Sequence, residues 1–186
     1  MWEKLKLWDR ELFIYLNSLG IESHDNFWIY VTQPENWIPL HILFFILFFI
    51  AYHWRKAVMT SLFLIATVGT TWVFTNFVKG IAIRLRPNNN PDLAEIIRIL
   101  QEPTNYSFFS GHASTSFAAV TFIVLALKDK SSWIYLAYIW PVIFVLSRIF
   151  VGVHYPSDII VGTSVGIIMA FIFFWAYQKS GKRFAL

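Results

Sequence analysis

Cysteine is absent from this chain of 186 residues, so disulfides, a thiolate nucleophile and cysteine-bound metals are excluded. Charge is scarce as well. Asp, Glu, Lys and Arg make up 14% of the residues, where soluble domains carry about 25%. Hydrophobic residues reach 57% and aromatics 19%, and the mean hydropathy is +0.55. Such a chain reads as an integral membrane protein, and as all-α, because helices satisfy their own backbone groups in lipid. No cleavable signal peptide is evident in residues 1–20, which carry Glu3, Lys4, Lys6, Asp9, Arg10 and Glu11 without a sufficient apolar core. No internal repeat is visible of the kind that builds transporters around a mid-membrane site. The formal net charge of +4 does not point to nucleic acid. The basic residues flank apolar spans or fall in three compact clusters, where membrane orientation and anion binding account for them.

What is present is a polytopic transmembrane helix bundle. Five apolar stretches, at about residues 37–54, 57–78, 113–127, 133–151 and 159–177, approach the ~20 residues that cross a hydrocarbon core, the third being short. Trp37, Trp54, Trp133, Trp175 and Tyr177 mark their ends, as an interfacial belt requires. Before them, Leu5, Trp8, Leu12, Tyr15, Leu16 and Leu19 recur at three- and four-residue steps and form one apolar stripe. That pattern predicts an amphipathic helix lying in the membrane interface, which would give a six-helix core if it inserted. Residues 27–31 read as a second interfacial piece, stopped near Pro34. The expected organisation is one domain over residues 1–186, with an interfacial segment at 1–36 and the bundle at 37–178. Arg55, Lys56, Lys128, Lys130, Lys179, Lys182 and Arg183 fall on one side, which the positive-inside rule makes cytoplasmic. Alternation of five spans puts all three polar clusters on the opposite face, together with Lys4, Lys6 and Arg10.

The first cluster is Lys79 with Arg86-Pro87. A lysine at a span end is ordinarily a snorkelling anchor, and Arg84 is read as one. Lys79 and Arg86 together offer a point charge and a planar fork at one boundary, a mixture that binds phosphate well. The second cluster, Ser110-Gly111-His112, precedes an apolar helix. Ser110 is a natural N-cap, Gly111 allows close backbone approach, and the free amides of a helix start attract anions. His112 is then either a proton donor or a wet interfacial residue. The third cluster is Ser147-Arg148 with His154 and Asp158. Tyr155-Pro156 breaks the chain, and a new helix is expected to start at Pro156. Asp158, four residues after His154, can accept a hydrogen bond from one imidazole nitrogen and turn the other outward. Ionisable groups near lipid are costly and are kept mostly for function. These could grip a phosphate and pass it to a histidine.

Lys79-x6-Arg86-Pro87, Ser110-Gly111-His112 and Ser147-Arg148-x5-His154-x3-Asp158 resemble, in order, the three-part signature of the type 2 phosphatidic acid phosphatase family. The similarity runs from about the second span to the fifth. One position departs from the pattern: the middle motif usually begins with proline, and here it is Phe109. The resemblance implies that His154 attacks phosphorus and carries a transient phosphohistidine, oriented by Asp158. It implies that His112 protonates the leaving oxygen and then activates water. Lys79, Arg86 and Arg148, with Ser110 and the Gly111 amide, would bind the phosphate oxygens. The family is metal-independent. No carboxylate cluster here suits magnesium or zinc either, Asp158 being committed to His154, so neither metal nor cofactor is expected.

After Asn88-Asn89-Asn90, Pro91 can open a short helix reaching Leu100, with Leu93, Ile96, Ile97 and Leu100 on one face. Such a helix within the outer-face stretch 88–107 would roof the site in the headgroup layer; the other reading is a loop packed on the bundle. A phosphate site at headgroup depth suits a lipid phosphate whose tails stay in the bilayer. The expected activity is hydrolysis of undecaprenyl diphosphate to undecaprenyl phosphate in a bacterial inner membrane, with the active site on the extracytoplasmic face. Phosphatidylglycerol phosphate and lipid A phosphates are rivals that share the phosphate grip. A transporter would place its polar residues near mid-membrane, and a non-catalytic scaffold would lack one of His112, His154 and Asp158.

Overall fold

The computed structural model describes residues 2–93 and 95–183. The Lys182 and Arg183 side chains of the cytoplasmic charge set lie outside what is described. Seven α-helices run among the described residues: α1 (Trp2–Ser18), α2 (Asp25–Val31), α3 (Ile38–Ala51), α4 (Trp54–Ala82), α5 (Gly111–Leu127), α6 (Ile139–Phe150) and α7 (Pro156–Arg183). Four segments are long and apolar enough to cross a membrane: Pro34–Ala51, Trp54–Asn89, Ser132–Phe150 and Pro156–Gly181. Two of these gain their length from 3-10 turns, Pro34–Trp37 before α3 and Ser132–Tyr138 before α6. The protein is a multi-pass helical membrane bundle.

The short α5 is the axis of that bundle. It packs most extensively on α7, then on α4, α6 and α3, and most of its residues are buried. Without a hydrophobic drive between helices in lipid, association depends on close packing of small residues, and the sequence supplies them. Gly162 and Gly166, one turn apart on α7, meet the start of α5 so closely that a Cβ on Gly162 would sit 2.7 Å from the Ser110 carbonyl oxygen. On Gly166 it would sit 2.3 Å from that of Ser114. The inward face of α4 carries Thr60, Thr67, Thr71 and Thr75, each hydroxyl donating to the carbonyl four residues back. Thr75 also shares a 2.8 Å hydrogen bond with Ser114 of α5. Lys79 is the next residue on this stripe. Phe44, Phe48, Phe122, Trp140 and Phe144 fill the lower core.

Two features shape the site end. The amphipathic stripe of α1 faces away from the bundle: Leu5, Trp8, Leu12, Tyr15 and Leu19 are all exposed. The face that packs inward carries Phe13 and Asn17, both buried. For a helix lying in an interface this is the physical solution, since lipid and protein compete for its apolar side. Of the two readings of the stretch from Pro91 to Leu100, the helix is not formed and a packed loop of turns and bends occupies its described part. Asn90 caps a turn by accepting from the Asp92 amide, and Leu93 is buried with Phe13, Ile149 and Tyr155. Burial of this one side chain against α1 and α6 satisfies the segment better than a free amphipathic helix would. The loop is pinned further by Asn17, which bridges the Arg98 backbone to the Ile149 carbonyl.

Gly166→Ala should therefore wedge α5 from α7. The expected result is a loss of about 1–3 kcal/mol from overpacking, read as a lower thermal midpoint in detergent.

Candidate active site

α4 ends at Ile83, a left-handed residue (φ 48°) whose amide closes on the Lys79 carbonyl at 3.2 Å. The turn sends the chain back across the helix end and into Arg86-Pro87. Lys79 Nζ donates to the Tyr106 carbonyl at 2.7 Å. The Arg86 fork is fixed from three sides. Nε donates to the Asn105 carbonyl at 2.8 Å, Nη2 to Asn105 Oδ1 at 2.8 Å, and Nη1 to the Val153 carbonyl at 3.0 Å. Nη1 also lies 2.9 Å from His154 Nε2. Both cations are almost fully buried.

Ser110 caps α5 as the sequence predicts, its hydroxyl accepting from the Ala113 amide at 3.4 Å. Its own amide donates to the Asp158 carbonyl at 3.0 Å, which locks the second cluster onto the third. His112 stands in the first turn of α5, its ring 4.9 Å from that of Phe144.

The third cluster depends on Gly152. Its φ of +83° lies in the left-handed region, and a Cβ would meet the Arg98 carbonyl oxygen at 2.5 Å, so both conformation and space require glycine. The chain then presents His154 and starts α7 at Pro156, as expected. His154 and Asp158 are fully buried. A guanidinium only donates, so His154 Nε2 is the accepting nitrogen beside Arg86 and Nδ1 carries the proton. Nδ1–H points to Asp158 Oδ2 at 3.3 Å, and that oxygen also accepts from the Tyr155 amide at 3.0 Å and from the Ser107 hydroxyl.

Lys79, Arg86, Gly111, His112 and His154 line one cavity of about 660 Å³. Beyond them it is walled mainly by apolar side chains of α3, α4, α5 and α6, among them Phe44, Leu64, Val68, Trp72, Ile123 and Trp140. Ser110, Arg148 and Asp158 do not form its wall. Arg148 is buried, donates to Thr32 and, at 3.2 Å, to Gln101 Oε1, and leaves Nε without a partner. Among the described residues, no group of three or more His, Asp or Glu side chains gathers as a metal ion would need.

Four residues escaped the sequence reading. Asn105 holds the Arg86 fork, and Ser107 holds Asp158; both lie in an irregular stretch with no periodicity to expose them. Arg84 is not a snorkelling anchor. It bridges Asp158 Oδ1 at 2.7 Å and Asp9 Oδ2 at 2.6 Å, because a buried carboxylate needs a donor on its second oxygen. Asp9 had a signal that was passed over: it shares one face of α1 with Phe13 and Asn17, at i, i+4 and i+8, away from the apolar stripe.

Burial holds the His154 pKa well below the ordinary histidine value of 6.5, and Arg86, Arg148, Lys79 and Arg84 lower it further. The ring is therefore neutral at neutral pH, with the Nε2 lone pair turned toward Arg86. A buried histidine lone pair, a carboxylate behind it and fixed guanidinium groups around it, inside a membrane bundle, equip a multi-pass membrane enzyme that hydrolyses phosphoric esters.

The model of the PAP2 superfamily matches residues 57–182, and the chain belongs to that family of membrane lipid phosphatases. It is 28% identical over 184 residues to a protein named lipid A 4'-phosphatase from Porphyromonas gingivalis, covering 94% of this chain and 75% of that one. It is 30% identical over 177 residues to one named undecaprenyl-diphosphatase from Sulfolobus acidocaldarius, covering 87% and 84%. Among solved structures, the transmembrane PAP2 type phosphatidylglycerolphosphate phosphatase from Bacillus subtilis shares the fold, with a TM-score of 0.75 at 19% identity over 95% of this chain and 87% of that one.

Since the unfolded chain binds a proton at His154 near pH 6.5 and the folded one only at lower pH, the two states differ only below that value. Stability should fall as pH drops below about 6.5 and continue to fall until the folded group titrates. Thermal midpoints between pH 8 and pH 5 should show a shallower decline in His154→Asn than in the native protein.

Proposed function

We propose that this protein removes the terminal phosphate of a membrane lipid through a phosphohistidine at His154, with undecaprenyl diphosphate as substrate and undecaprenyl phosphate as product. The observation that carries the reading is His154 Nε2, facing Arg86 at 2.9 Å while Asp158 backs Nδ1, at the head of an apolar cavity.

In the first step the Nε2 lone pair attacks phosphorus and the bond to the leaving oxygen breaks. His112 gives that oxygen its proton. The imidazole becomes cationic as the N–P bond forms, and the Asp158 carboxylate stabilises it through Nδ1–H. In the second step neutral His112 takes a proton from water, the hydroxide oxygen bonds to phosphorus, and the N–P bond breaks to release inorganic phosphate and regenerate His154. Lys79, Arg86 and Arg148, with Ser110 and the Gly111 amide, bind the phosphoryl oxygens. Donors fixed in advance stabilise charge on a transferring group without reorganising. The orphan Nε of Arg148 supports its place in this set. No cofactor enters either step.

For the substrate, support comes from the wall beyond the phosphate end. The Thr115 and Ser116 hydroxyls donate to the Gly111 and His112 carbonyls of their own helix, and apart from His41 and Asn76 the rest of that wall is apolar, as a long polyprenyl chain requires. A disaccharide would want many free hydroxyl partners there. The second reading, a lipid A phosphate, rests on the relative from Porphyromonas gingivalis and a similarly named one, 25% identical, from Bacteroides thetaiotaomicron; phosphatidylglycerol phosphate shares the grip and is a third. We place the site on the extracytoplasmic face of the cell membrane because Arg55, Lys56, Lys128, Lys130 and Lys179 flank the opposite helix ends. The whole chain acts as one phosphatase domain, in which residues 88–107 cover the site.

Purified protein should release phosphate from a lipid diphosphate with chelator present, and His154→Ala and His112→Ala should each remove nearly all turnover while the thermal midpoint holds. Full activity in His154→Ala, or strict dependence on added divalent metal, would sink the mechanism. The rate should follow a bell in pH, because His154 must be neutral and His112 protonated, and vanadate should inhibit. Across a panel of the three lipids at matched surface concentration, a preference of about tenfold, ~1.4 kcal/mol, for a lipid A phosphate or phosphatidylglycerol phosphate would overturn the substrate choice alone.

A further inference from the structure

One side chain of the N-terminal helix reaches the carboxylate network behind the nucleophile, and the family signature does not include it. Asp9 of α1 reaches the start of α7. Its Oδ1 accepts from the Ser157 amide at 2.8 Å, and its Oδ2 from the Ser157 hydroxyl at 2.5 Å. The same Oδ2 takes Arg84 Nη2 at 2.6 Å. Arg84 Nη1 donates onward to Asp158 Oδ1 at 2.7 Å and to Ser157 Oγ at 2.8 Å. The guanidinium lies over the Tyr155 ring, 4.0 Å from its centroid, so its plane is fixed by stacking as well as by hydrogen bonds.

We propose that Asp9 and Arg84 are positioning residues for phosphoryl transfer at His154. Arg84 holds the Asp158 carboxylate in register behind the imidazole, and Asp9 offsets the charge of Arg84 so that Asp158 remains an effective anion. This rests on His154 being the nucleophile.

The two oxygens of Asp158 divide the work. Oδ2 serves His154, Ser107 and the Tyr155 amide, while Oδ1 serves Arg84. A carboxylate pinned at both oxygens cannot rotate away when the ring becomes cationic. Yet an uncompensated guanidinium at 2.7 Å would also draw the charge of Asp158 away from the imidazole and oppose a positive ring nearby. Asp9 supplies the compensation. Its side chain is 11% exposed and that of Arg84 27%, so solvent screens the guanidinium only in part. α1 thus contributes to the enzyme's chemistry and does more than cover the bundle. Because Trp8, next to Asp9, belongs to its outward apolar stripe, seating of α1 in the interface and alignment of the nucleophile are mechanically linked.

The test uses the full chain in detergent with a lipid diphosphate, following kcat, KM, phosphoenzyme formation in a single turnover, and the thermal midpoint. Asp9→Asn and Arg84→Gln should each lower kcat and the rate of phosphoenzyme formation by about tenfold or more with KM held within roughly twofold, the signature of a lost transition-state interaction. The double variant should be no slower than the slower single one, since removing Arg84 removes the charge that Asp9 offsets. Asp9→Glu and Arg84→Lys should recover part of the rate, and they decide the matter should the neutral variants fail to fold. Asp25→Asn provides the comparison. It breaks an equally short ion pair, Arg98–Asp25 at 2.6 Å, and should lower the thermal midpoint without changing kcat of the folded protein. Native kcat in both single variants, losses that multiply in the double, or an equal loss of kcat in Asp25→Asn would overturn the proposal. Native turnover in His154→Ala would remove its premise instead, and would be seen whether or not Asp9 and Arg84 matter.

Discussion

The rest of this molecule is organised around the burial of guanidinium and ammonium groups at one end of a membrane bundle. Lys79, Arg86 and Arg148 are each less than a tenth exposed. Isolated charges removed from water cost far more than a fold can absorb, so every one of them is hydrogen-bonded. Lys79 finds the Tyr106 carbonyl, Arg86 finds Asn105 and Val153, and Arg148 finds Thr32 and Gln101. Most of these partners are neutral. Neutral acceptors hold a cation in place without cancelling its charge, and the positive field at His154 survives to depress its proton affinity. A phosphoryl group is the ligand that such a field is proposed to await. The carboxylates stand behind the histidine, where Asp158 and Asp9 share Arg84.

Helix packing delivers these groups to one place. The two glycines of α7 let α5 approach until its first turn touches the first turn of α7, and the Ser110 amide then reaches the Asp158 carbonyl. That contact joins two residues more than forty positions apart in the chain. The hydroxyl stripe of α4 does the same for Lys79 through Thr75 and Ser114. In lipid, where apolar surface gives no preference between a helix and the solvent, such small-residue and hydroxyl contacts specify the arrangement. The chemistry is thus tied to the most closely packed part of the bundle, and the cavity runs from it between α3, α4, α5 and α6.

The N-terminal helix reverses the usual logic of amphipathic segments. In a soluble domain the stripe of Leu5, Trp8, Leu12, Tyr15 and Leu19 would pack inward. Here it is exposed, and the opposite face carries Asp9, Phe13 and Asn17 into contact with α6, α7 and the loop that follows Asn90. A helix between lipid and protein can give its apolar side to the lipid and its few polar side chains to buried backbone groups that need partners.

The sequence by itself determined the environment, the five apolar stretches, the Ser110 cap and the helix start at Pro156, because hydropathy, capping and proline geometry are local properties of the chain. Alternation of spans also brings the three motifs to one end of the bundle, where Lys79, Arg86, Gly111, His112 and His154 line one cavity while Ser110, Arg148 and Asp158 stand behind it. Only the tertiary structure decided what each buried charge pairs with. Arg84 reads locally as an anchor and becomes the link between Asp9 and Asp158; Asn105 and Ser107 read as loop residues and hold Arg86 and Asp158. The segment after Pro91 reads as either an amphipathic helix or a packed loop, and burial of Leu93 decides for the loop. Partners of this kind lie tens of residues apart or more, and a side chain's partner is set by the shape of the pocket that receives it. Periodicity carries no record of that shape.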